Sequence, residues 1–181
     1  MKKLVVLALA LYAQDVFAHA NILAGSAIPP RNTLANKTGP CGVARNVGTQ
    51  TTTNLTPGQT LTITFQETID HPGYYQIWFS PNADDSGMVL LRDNIPDIQG
   101  GAMPHNYSTT VTVPSTPCAN CTIRMIQVMA ENPNVPTYYY SCSNVQIAAV
   151  AGPSPSPSPS ASNTPVPPVP TSSGGGINCG N

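Results

Sequence analysis

Residues 60–66 read Thr-Leu-Thr-Ile-Thr-Phe-Gln. The strict alternation places Leu61, Ile63 and Phe65 on one face, the signature of a half-buried β-strand. Thr56-Pro57-Gly58 just before it supplies a turn. Comparable runs fall at 21–27, 74–80, 88–91, 107–113, 122–130 and 138–150, separated by Pro and Gly clusters. Seven or so short strands with turn signals between them predict an all-β fold, a two-sheet β-sandwich of immunoglobulin-like or fibronectin-like type. There is no internal repeat and no pattern for a helix longer than a turn or two.

Both ends depart from this pattern. Met1-Lys2-Lys3 is a short positive segment, and the apolar stretch 4–12 after it is too short to span a bilayer. Residues 1–18 are therefore expected to be a signal peptide. Two cleavage points compete: after Ala18, leaving His19, or after Ala20, leaving Asn21. No later stretch is long and apolar enough for a membrane span. The segment 151–181 has no charged residue and eight prolines. It is expected to be a disordered Pro/Ser/Gly-rich tail, either a flexible extension or the remnant of a surface-attachment signal. The folded domain is then 19–150.

Charge excludes one class of partner. Only 8% of residues are charged, against about 25% in a typical soluble domain. Seven Lys+Arg in the whole chain cannot neutralise a phosphate backbone, so no nucleic acid is expected as a partner. The domain itself keeps only five Lys+Arg and seven Asp+Glu, so the low charge belongs to the fold and suits neutral partners.

Four of the five cysteines, Cys41, Cys118, Cys121 and Cys142, fall in the domain. Three pairings are open to them. The favoured one joins Cys41 to Cys142, tying an early loop to the last strand, and Cys118 to Cys121 as a local bridge. Zinc or redox chemistry at Cys118-x-x-Cys121 lacks the further ligands or βαβ context it needs. Disulfides imply an oxidising compartment, so the protein is expected to be secreted and extracellular, periplasmic or at the cell surface. Cys179 is left over.

His19, His71 and His105 are the only histidines. Cleavage after Ala18 would give His19 a free α-amine beside its imidazole, a chelate within one residue. A second imidazole would complete a three-nitrogen, T-shaped site of the kind that suits Cu(II). His71, in the turn Ile69-Asp70-His71-Pro72-Gly73, is the residue positioned to supply it. His105 reads as a loop residue, with an outer role at the metal as the alternative. Glu67 and Asp70 are three apart and are expected on opposite faces as solvated carboxylates, which argues against a glycosidase pair.

An ordered set of motifs carries a resemblance. His19-Ala20 at the signal junction comes first, then Gly39-Pro40-Cys41-Gly42, then Glu67-Thr68-Ile69-Asp70-His71-Pro72-Gly73-Tyr74-Tyr75. Cys118-Ala119-Asn120-Cys121-Thr122 and Tyr138-Tyr139-Tyr140-Ser141-Cys142-Ser143-Asn144-Val145 complete it. The set spans the whole domain and resembles a bacterial family of secreted proteins similar to lytic polysaccharide monooxygenases. The resemblance implies an immunoglobulin-like sandwich and one copper ion in a histidine brace. His19 would give the amine and one imidazole nitrogen, and His71 the third nitrogen. Tyr139, three residues before Cys142, would be the aromatic axial to copper. His19, His71 and Tyr139 are thus the expected catalytic residues.

The implied activity is oxidative cleavage of glycosidic bonds in a polysaccharide by a copper-dependent monooxygenase. Its partners would be the glycan and a small-molecule or protein reductant, and the protein is expected to be a monomer. One departure stands out. Many monooxygenases carry Gln two residues before the axial Tyr, where this chain has Thr137. Two alternatives stay open: a copper-binding or delivery protein of CopC type without oxygenase activity, and a metal-free surface domain.

Overall fold

The computed structural model describes residues 19–34, 36–46 and 49–149. The expectations of a signal peptide over 1–18 and a disordered tail over 151–181 fall outside the described residues, as does Cys179. Eight strands are described: β1 (Ala20–Ile22), β2 (Thr52–Leu55), β3 (Thr60–Glu67), β4 (Gly73–Ser80), β5 (Val89–Pro96), β6 (His105–Thr112), β7 (Cys118–Met129) and β8 (Thr137–Ile147). They form a three-stranded sheet ordered β1-β3-β6 and a five-stranded sheet ordered β2-β8-β7-β4-β5. The fold is an immunoglobulin-like β-sandwich. Among the described residues no helix is long and apolar enough to cross a membrane.

Alternation does the structural work. In β3, Leu61, Ile63 and Phe65 are buried between exposed or half-buried neighbours. Tyr107 and Val111 of β6 share that inner face, and Ile77, Phe79, Ile123, Met125 and Val145 meet them from the other sheet. Phe65, Tyr75 and Tyr107 form the aromatic centre, with ring centroids 4.7–4.9 Å apart. Burying side chains of this size contributes about 1.5–3 kcal/mol each, which is what holds the sheets together.

Three details differ from the sequence expectation. The first strand is Ala20–Ile22 rather than 21–27, because Leu23 to Ser26 turn, with the Ser26 N–H donating to the Leu23 carbonyl at 2.9 Å. The run 88–91 extends to β5, Val89–Pro96, across irregular register with β4. The strand β2 was not expected, since Thr-Thr-Asn-Leu carries no alternating apolar face; it pairs in parallel with β8.

Arg31 helps tie the long segment between β1 and β2 to the sandwich. The Arg31 guanidinium donates to both carboxylate oxygens of Asp85 at 2.6 Å and to Asn144 Oδ1 at 2.6 Å. The Arg31 backbone N–H donates to the Cys142 carbonyl at 2.7 Å. Burial alone would raise the Asp85 carboxyl, but Arg31 and the Thr122 hydroxyl outweigh it and hold the group below its ordinary value. The cysteines are joined Cys41–Cys142 and Cys118–Cys121, with Cα separations of 5.5 and 5.9 Å. The first bridge fastens the same segment to β8.

Candidate metal centre

His19 sits at the open end of β1, where that strand touches both sheets. Ala20 lies opposite Glu67 of β3. On its other side the Ala20 N–H donates to Gln127 Oε1 of β7 at 3.0 Å, and the Ile22 N–H donates to Ser141 Oγ of β8 at 3.1 Å. The Thr68 hydroxyl donates to the His19 carbonyl at 3.3 Å. The start of β1 is thus held from three strands. The backbone of His19 itself is in the left-handed region, φ 79°.

His71 comes from the turn between β3 and β4. That turn can dock because of Gly73: a Cβ there would lie 2.0 Å from the Val128 carbonyl oxygen of β7. The Ala130 N–H donates to the Pro72 carbonyl at 2.7 Å, locking the turn to the segment after β7. That segment carries Glu131, and the Nδ1–H of His71 donates to its carboxylate. A carboxylate on one ring nitrogen fixes the orientation of the ring, and in the neutral ring the other nitrogen is an acceptor.

The two rings come together. His19 and His71 have centroids 5.0 Å apart and planes within 1° of parallel. Tyr139 of β8 lies against His19 from the protein side, centroids 3.5 Å apart, and is buried. Lys37 Nζ is 5.2 Å from the Tyr139 ring centre, a cation–π contact at the outer edge. A cleft of about 170 Å³ opens beside His19, bordered by Ile22, Leu23, Thr33 and Gln66.

Copper fits these residues on one observation of their own geometry. His71 Nε2 is shielded from solvent and has no hydrogen-bond partner among the described residues, while its Nδ1 is engaged. An imidazole nitrogen in that state is a poor structural element and a ready ligand, since a buried polar atom left unpaired costs about 1–3 kcal/mol. Two imidazoles are nitrogen donors of the kind that suits copper.

Behind the centre lies a buried polar chain. Gln127 accepts from Ala20 and donates to Glu67 Oε1 at 2.6 Å. The Tyr107 hydroxyl lies 3.0 Å from Glu67 Oε2 and 2.5 Å from Asp97 Oδ1. Burial and the nearby Asp97 push the Glu67 carboxyl above the usual carboxylate range, and burial likewise raises the hydroxyls of Tyr75 and Tyr107.

Two sequence expectations need correction here. Glu67 is not a solvated carboxylate but is fully buried, because the alternation of β3 runs one step beyond Phe65. His105 is not a loop residue: it opens β6, is buried and lies directly opposite Glu67. Glu131 and Gln127 were missed. Glu131 carries no local sequence signal, since it meets His71 only through the docking of two loops. Gln127 did carry one, as a polar residue inside the run Met125-Ile126-Gln127-Val128.

The described residues thus form an all-β sandwich that presents two facing imidazoles at one end, backed by a buried tyrosine. Residues 13–145 match the model of the family described as lytic polysaccharide mono-oxygenase, cellulose-degrading, and the chain belongs to that family. Three solved structures resemble it. A lytic polysaccharide monooxygenase from Streptomyces lividans shares 21% identity at a TM-score of 0.42, over 54% of this chain and 60% of that one. A cellulose-active polysaccharide monooxygenase from M. thermophila gives 18% and 0.43, over 63% and 61%. A chitin-binding domain from Burkholderia pseudomallei gives 14% and 0.39, over 56% and 59%. The chain thus spans about 60% of the length of these structures. No curated protein matches it.

Proposed function

We propose that the protein is a secreted, monomeric copper enzyme that oxidatively cleaves glycosidic bonds in a polysaccharide. Residues 1–18 act as signal peptide, 19–150 as the copper-binding domain and 151–181 as a tail that takes no part in the site. The single observation that carries the reading is the Nε2 of His71, solvent-shielded and without a hydrogen-bond partner among the described residues, in a ring parallel to that of His19. Family membership supports the reaction class.

His19 would hold copper through its amine and one ring nitrogen, and His71 through Nε2. The ion, when bound, supplies the one-electron chemistry that activates O₂ or peroxide, with electrons from an external reductant. The chain's own residues do the rest. Glu131 orients the His71 ring and raises its basicity. Gln127 and Ser141 fix the strand that carries His19. Tyr139 closes the inner side of the His19 ring and keeps water from it. The sparsely charged surface suits a neutral glycan.

Thr137 supports a second reading. It stands where many monooxygenases carry a glutamine, which favours a copper-binding or delivery protein without oxygenase activity. Intact-mass analysis of the secreted protein, then product analysis on chitin and cellulose with reductant and peroxide, separates the outcomes. Mature His19 with oxidised oligosaccharides supports the enzyme. Mature His19 with tight copper and no products selects the carrier. Asn21 at the N-terminus removes copper from both and leaves a metal-free surface domain.

A further inference from the structure

Extending the alternation of β3 and β6 by one step each turns two ionisable side chains inward. Glu67 and His105 are direct partners across the two strands, and both are buried, at 0% and 7% exposure. His105 Nδ1 is shielded from solvent, has no hydrogen-bond partner among the described residues, and lies 3.7 Å from Glu67 Oε2. Asp70 reaches the same point from the turn after β3, despite the expectation that it and Glu67 face apart. One ligand atom from each of Glu67, Asp70 and His105 lies within 4.8 Å of the other two. One Asp70 oxygen accepts the Gly100 N–H at 2.7 Å, which holds the carboxylate over the cluster.

This arrangement makes poor sense as packing. An imidazole nitrogen is left unpaired in the interior, next to Glu67 and, through Tyr107, Asp97. Among the described residues no Lys or Arg forms an ion pair with Glu67, Asp70 or Asp97. We propose that Glu67, Asp70 and His105 form a second metal site, separate from the His19–His71 pair, that takes a divalent cation of the zinc class. One imidazole and two carboxylates are the mixed nitrogen and oxygen donors such ions accept, with water completing the shell. Ligand atoms about 2.0–2.2 Å from an ion stand about 3.4 Å apart across a tetrahedral edge, close to the His105–Glu67 separation.

The site shares no ligand with the proposed copper centre, although Glu67 also accepts from Gln127, which holds the start of β1. The test is calorimetric titration of the full chain carrying His71→Ala with Zn²⁺, at neutral pH, beside the same chain with Asp70→Asn or His105→Gln added. One Zn²⁺ per chain is expected for the parent. Asp70→Asn, at an exposed residue that keeps an oxygen for Gly100, should weaken binding at least about tenfold, the scale seen on losing supporting groups at metal sites. His105→Gln should abolish it, with circular dichroism reporting whether the sandwich is intact. A parent that takes up no Zn²⁺, or an Asp70→Asn chain that binds as tightly as the parent, overturns the proposal, whatever becomes of His105→Gln.

Discussion

The Arg31–Asp85 pair and the His19–His71 pair are both polar groups drawn into a β-sandwich, and they are finished differently. Arg31 uses Nε, Nη1 and Nη2, and each finds an acceptor among Asp85, Asn144, Thr122 and the Val43 carbonyl. His71 uses one nitrogen on Glu131 and leaves the other shielded and unpartnered. A charge pair with its bonds satisfied belongs to the fold, because removing either partner strands the other. A ring with one nitrogen anchored and one idle belongs to chemistry, because packing gains nothing from it. The contrast predicts that the first region governs stability and the second governs metal binding.

The largest effect should come from His71→Ala. It should abolish the Cu(II) spectrum characteristic of the site, yet change unfolding free energy by less than about 1 kcal/mol, the ordinary range for a partly exposed turn residue. A large loss of stability with copper binding retained would invert the comparison.

Asp85→Ala should do the opposite. Stranding a buried Arg31 should cost about 3–5 kcal/mol by denaturant unfolding and leave copper affinity unchanged. The same pair sets a pH dependence. The folded Asp85 carboxyl is held below its unfolded value of about 3.9, so its contribution is fully present above that pH. It is lost as pH falls through the folded value, and the acid limb of a stability profile should flatten in Asp85→Ala.

Replacing Cys41 and Cys142 together by Ser should cost about 2–5 kcal/mol, since the bridge closes a loop with a sequence separation of 101. Copper affinity should again be spared. The smallest expected effect belongs to Glu131→Gln, which leaves the fold intact and weakens copper binding about 10- to 100-fold through the His71 ring. No change there would mean that Glu131 does not set the ring.

Much of the sandwich was legible because period two is a local signal. β3, β4, β6, β7 and β8 all announce themselves by alternating or aromatic runs. β2 did not, since Thr52 to Leu55 become a strand only through their parallel pairing with β8, a contact no local window contains. The positions of Glu67 and His105 were legible in principle. Extending Leu61, Ile63, Phe65 by two residues gives Glu67, and stepping back from Tyr107 gives His105. The expectations of solvation for Glu67 and of a loop for His105 followed residue type instead of period. The meeting of His71 with Glu131 was not legible, because it depends on two loops brought together by a glycine at 73 and one backbone hydrogen bond.

The central claim is that His19 and His71 together hold one copper ion. The most direct test is electron paramagnetic resonance of the chain beginning at His19 with one equivalent of Cu(II). A single tetragonal species with nitrogen coupling from the His19 amine and two imidazoles is expected, lost in His71→Ala. Non-stoichiometric binding, or a spectrum that His71→Ala leaves unchanged, would contradict it.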